Sequence, residues 1–265
     1  MERLVMGWPP GGSGRSPTRW ERMRPPWPAS DPWSPQESVM YSEPKEHPIS
    51  RLDPGNPHRL TPALRALVRV SAALATRKES CLRSAMAQVR DEAAAEEVEE
   101  VLVQSYLFIG FPGALNALSV WREFSGWPAS PPMEDDPLTR ARRGEAVCRQ
   151  VYGGQYERLR RNVRELHPDL DRWMVEEGYG KVLGRPGLDL PERELCIAAL
   201  LAVLGAPVQL YSHLRGALEV GVGPDEVEAM LREVADVMPP TEMEEVRHVW
   251  RRVRERAGRS AAPDS

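Results

Sequence analysis

From Thr61 to about residue 257, apolar residues recur every three or four positions, and no stretch alternates apolar and polar residues as a half-buried strand would. That period restricts the chain to an all-α fold. Thr61 is a good N-cap and Pro62 suits a first helical position, with Leu64, Leu67, Val68, Ser71, Ala72 and Ala75 following on one stripe. A second helix is expected over 79–91. A third starts near Glu96 and stops at "FIGFPG", where Gly110 and Pro112 end it, and a fourth covers 112–124. Beyond "SGWPASPPMEDDPL", helices are expected at 139–152, 155–166 and 168–183. The segment 192–204 is apolar on nearly every side and is expected to be buried. Helices at 207–220, from Pro224, and at 241–257 complete the series.

Residues 1–57 differ in kind. They hold twelve of the 26 prolines and four of the eight tryptophans (Trp8, Trp20, Trp27, Trp33). Proline at that density opposes both helix and central strand, so this segment is expected to be a disordered leader. The remainder divides into a helical unit at 58–126, a linker at 127–138, a second unit at 139–257 and a short disordered tail at 258–265. The two units resemble each other. "TPALRALVRVSAALA" lies 129 positions before "LPERELCIAALLAVL", "RSAMAQV" matches "RGALEVG", and "AEEVEEVL" matches "PDEVEAML". The chain therefore reads as a duplicated helical bundle.

Composition narrows the partners. The formal net charge is −4, which gives no electrostatic reason to expect nucleic acid or an anionic membrane. The longest apolar run, "LCIAALLAVLGAPVQLY", is broken by Gly205 and Pro207 before reaching the roughly 18–20 residues of a membrane span. Cys81, Cys148 and Cys196 stand far apart, in neither a disulfide framework nor a zinc motif. No signal peptide is evident, and a reducing cytoplasm is expected.

Histidine 213 is the candidate for chemistry. It sits in an apolar helix with Gln209 four residues before it, and both share a face with Gly216. A working acid–base group and a core histidine bonded to a backbone carbonyl both fit that placement.

The second unit resembles the carboxymuconolactone decarboxylase family, part of the alkylhydroperoxidase D-like superfamily. The resemblance rests on "GEAVCRQVYG", "GYGKVLGRPGL" and "RELCIAALLAVLGAPVQLYSHLRGALEVGVGPDEV", with "RPGL" and "HLRGA" the most specific pieces. "VLVQSYLFIGFPGALNAL" in the first unit looks like the helix and Gly-x-Pro turn that follow this block in the family. Two fused copies are implied, the first without the histidine. The resemblance implies a homo-oligomer and decarboxylation of a small cyclic carboxylate or lactone, with neither metal nor organic cofactor. His213 would transfer the proton, Gln209 would orient the substrate and Arg185 would bind its carboxylate. Tyr179 and Arg215 would complete the binding site. The family's decarboxylases usually carry Glu where this chain has Gln209, and Gln cannot trade a proton. The sister activity, thiol-dependent peroxide reduction, resembles a branch whose Cys-x-x-Cys would fall at Ala206 and Gln209. The thiol left for it is Cys81, with Lys78 one turn away. A non-catalytic binding protein is the third reading.

Overall fold

The structure is a computed structural model that describes residues 50–133 and 135–261, with side chains through residue 258. Residues 1–49 of the expected leader lie outside the described residues. Residues 50–57 do not belong to a leader: they enter a short antiparallel hairpin of β1 (Leu52–Asp53) and β2 (Asn56–Leu60). This corrects the strand-free expectation. Pro54 presets the turn, and Asp53 Oδ1 accepts the Gly55 N–H at 2.8 Å. The Arg51 N–H donates to Glu226 at 2.8 Å and its guanidinium to Asp189 at 3.1 Å, so the hairpin is fixed to the second unit.

All else that is regular is helical. The first unit contains α1 (Pro62–Thr76), α2 (Glu79–Val89) and α3 (Ala95–Ser125). The second contains α4 (Pro137–Tyr152), α5 (Tyr156–Leu166), α6 (Pro168–Trp173), a π-helical segment (Met174–Leu183), α7 (Leu190–Leu204), α8 (Pro207–Glu219), α9 (Pro224–Ala235) and α10 (Pro240–Ala261). Prolines open α1, α4, α6, α8, α9 and α10, where the missing N–H has no helical partner to lose. Helix α10 carries on past residue 257 into the expected tail.

The two expected helices at 96–110 and 112–124 run on as α3, broken at Gly110, whose φ of 74° no ordinary helical residue adopts. Among the described residues α3 is the one helix long and apolar enough to cross a membrane, a stretch the sequence reading passed over. Glu99, Glu100 and Gln104 in its first half are buried within the bundle. The single helix expected at 168–183 is instead α6 plus the π-helical segment. Glycines explain the tight seam there: a methyl at Gly144 of α4 would run into the Val175 carbonyl, and one at Gly180 into the Arg140 carbonyl.

The duplicated helices α1 and α7 pack on each other at the centre. Ten consecutive residues of α7, Arg193 to Ala202, are buried, as its all-round apolarity required. The units also exchange polar contacts. Arg69 of α1 pairs with Glu233 of α9 at 2.7 Å, and Arg193 of α7 reaches Glu100 of α3 at 2.8 Å. Each unit thus finishes its core with a helix of the other, and the linker is held too, with the Ser130 N–H donating to Glu99 at 3.1 Å.

Candidate functional site

Asp189 caps α7 by accepting the Glu192 N–H at 2.8 Å, and Pro191 enters its first turn. This start sets the rotation of the helix and turns Glu194 toward α8. The carboxylate is fully buried, and its Oε2 lies 2.8 Å from His213 Nδ1. The histidine is core-buried, as one reading expected, but its partner is a side-chain carboxylate on the neighbouring helix and not a backbone carbonyl. With Glu194 ionised, Nδ1–H is the donor, and Nε2 is the nitrogen left to exchange a proton. Glu194 Oε1 has no hydrogen-bond partner among the described residues, so a buried acceptor remains beside the ring.

Two tyrosines lie within electrostatic reach of Glu194. Tyr179, on the π-helical segment, donates through its hydroxyl to Tyr152 of α4 at 3.1 Å, and the two rings meet edge to face. Burial pushes both phenols up, with the Glu194 charge adding to the shift, so both stay neutral. Burial likewise pushes the Cys148 thiol up to about 12. Phe108 of α3 stands edge-on to the His213 ring, 5.7 Å between centroids. Gly216, one turn after His213, makes room for the pair: a methyl there would lie 2.7 Å from Val151 Cγ1 and 3.2 Å from Glu194 Oε2. Gly216→Ala is therefore expected to destabilise the protein by about 1–3 kcal/mol and to separate His213 from Glu194. Thermal melting together with the His213 ring NMR signal measures both effects.

The other expected site residues are distributed as follows. Gln209 lies in the first turn of α8, exposed to solvent, while His213 one turn later is buried. Arg185 meets Glu100 through Nε at 2.9 and 3.1 Å. Arg215 is half-buried on α8 and Cys81 half-buried on α2. Three functional candidates were missed in the sequence: Glu194, Tyr152 and Phe108. The signal for Glu194 was present, since a carboxylate inside a helix that is apolar all round must have a buried partner. Spacing along α8 does not reveal this partner of His213, because Glu194 lies on the neighbouring helix.

The chain is 31% identical over 140 residues to "Peroxisomal protein 2" of Schizosaccharomyces pombe (strain 972 / ATCC 24843), an alignment covering 49% of this chain and 63% of that protein. The chain thus spans somewhat under two thirds of that relative's length. Residues 54–123 and 168–250 each match the Carboxymuconolactone decarboxylase family, one match per repeat. A predominantly helical, twice-repeated bundle with both repeats matched in this way belongs to the carboxymuconolactone decarboxylase family.

Proposed function

We propose that the protein is a cofactor-independent acid–base enzyme acting on a small cyclic carboxylate or lactone, by decarboxylation or a related proton transfer. The observation that carries this reading is the 2.8 Å contact between His213 Nδ1 and Glu194 Oε2 in the interior. A carboxylate that fixes one ring nitrogen leaves the other free for substrate, the arrangement by which histidine serves as a general acid or base. In the decarboxylation the bond between the substrate carbon and its carboxylate breaks and CO2 departs. The electron pair moves by conjugation onto the lactone carbonyl oxygen, and protonated His213 then delivers its Nε2 proton to the carbon. Solvent restores that proton. Tyr152 and Tyr179, both neutral, supply hydroxyl dipoles near the pair. Arg185 would meet the substrate carboxylate with guanidinium N–H groups other than the Nε that faces Glu100. Gln209, at the solvent end of the histidine's helix, would orient the substrate as it enters, and Arg215 would assist from the same helix.

In the thiol reading Cys81, half-buried on α2, would be the reactive thiol. Cys148 and Cys196 would not serve it, since burial pushes both up to about 12 and keeps them protonated at neutral pH. Association of copies is part of the proposal. Phe111 and Leu115 on α3 are 63% and 61% exposed, large apolar side chains of the type an interface covers. We place the protein inside the cell, in the cytoplasm or in the compartment named for its fission-yeast relative.

The test is CO2 release from a panel of carboxylactones by the full chain beside His213→Ala. Turnover that falls by at least about a hundredfold in the variant supports the reading. Turnover unchanged in a folded His213→Ala protein rules out histidine chemistry.

A further inference from the structure

Two of the chain's three phenylalanines, Phe108 and Phe111, flank the Gly110 break in α3. The break ends the first helical run just after Phe108 and starts the second just before Phe111. Tyr106 stacks on Phe111 at 4.9 Å between centroids, so three aromatic rings gather within six residues. Phe108 alone among them reaches the candidate site. It is half-buried and its ring meets the His213 ring in a T-shaped contact. It is thus partly open to solvent and next to the candidate acid–base ring at once. It also belongs to the repeat that has no counterpart of His213.

Several groups around the pair are uncharged. Tyr152, Tyr179 and Cys148 hold their protons at neutral pH, and Val151 and Gly216 are apolar. Nothing among these selects a charged body. An aromatic edge beside an uncharged wall favours a flat, unsaturated or aryl group through stacking and the removal of apolar area from water.

We propose that Phe108 of the first repeat is a specificity-determining residue of the second repeat's site, and that it selects lactones bearing a flat apolar ring next to the reacting carbon. The proposal rests on the reading of His213 and Glu194 as the acid–base pair and names the substrate body for it. It also gives the first repeat a part in function although it has no counterpart of His213.

The test reads binding, with no turnover required. Neutral butenolides carrying methyl, propyl or phenyl substituents are titrated into the full chain, and the His213 ring NMR signal reports occupancy. In the wild type the phenyl compound is expected to bind about three- to tenfold tighter than the propyl one. Phe108→Leu keeps an apolar side chain but no ring, and should abolish the preference for phenyl over propyl. Phe108→Ala should weaken both larger compounds; were it to unfold, the leucine variant still decides. Equal affinities across the series in the wild type, no binding of any member, or a phenyl preference that survives Phe108→Leu would each overturn the proposal. Failure of the acid–base reading looks different: ring-selective binding without CO2 release leaves Phe108 as the selector of a bound ligand, and CO2 release indifferent to Phe108 removes this proposal alone.

Discussion

Glu194→Gln is expected to reduce turnover by roughly a hundredfold to ten-thousandfold while the protein stays folded. The amide has nearly the shape of the carboxylate, so the packing between α7 and α8 is kept. Its oxygen still accepts from His213 Nδ1, but it carries no charge to balance an imidazolium formed during the reaction. The amide nitrogen then occupies the position of Oε1, which has no partner among the described residues, and that costs about 1–3 kcal/mol. Steady-state rates on the best carboxylactone, measured with a melting curve on the same sample, separate chemistry from stability. Wild-type rates in Glu194→Gln would make the carboxylate a structural partner of the histidine and nothing more. Glu194→Asp supplies a further control, since partial recovery of rate identifies charge as the missing element.

The second large effect falls on stability. Arg193 is fully buried, and its guanidinium donates to Glu100 Oε2 at 2.8 Å, Gln104 at 3.3 Å and the carbonyls of Arg185, Pro186 and Leu188 at 2.9, 3.1 and 3.2 Å. One side chain thereby ties the turn before α7 to α3 of the other repeat. Gly187 in that turn has a φ of 91°, which suits glycine, and a methyl there would press on Glu100 Cγ at 3.0 Å. Arg193→Ala leaves Glu100 with Arg185 alone and strips three carbonyls and an amide of their donor. The expected loss is about 3–5 kcal/mol. In a chain of this size that lowers Tm by roughly 10 °C. Calorimetry checks it, and a decrease of only a degree or two would mean that water replaces the guanidinium at little cost.

Much of the fold could be read in the sequence because helix signals are local. Asp136, Asp189 and the opening prolines mark starts, Gly205 marks an end, and the 129-residue repeat reveals the duplication. The hairpin at 52–60 was missed because it is held by Arg51 reaching Glu226 and Asp189, partners more than a hundred positions away. The π-helical segment packs closely on α4 through Gly180 within it and Gly144 on α4, a contact between two elements that spacing along either one does not reveal. The site was half legible. His213 and Gly216 stood out on one helix face, and Tyr179 bonds to Tyr152 within electrostatic reach of Glu194. Glu194 and Phe108 come from two other helices, and no spacing rule along one helix finds a residue on the next.

The pairing of α1 with α7, and of each repeat's polar residues with the other's helices, governs how the protein can come into being. As the chain leaves the ribosome, α1 emerges more than a hundred residues before the helix that covers it. During that interval the buried stripe of Leu64, Leu67 and Val68 has no native cover from α7. Closing such distant contacts is slow and leaves apolar surface open to chance association. The first repeat therefore waits on the synthesis of the second, and a nascent chain halted in the linker would be a client for chaperones and not a finished domain.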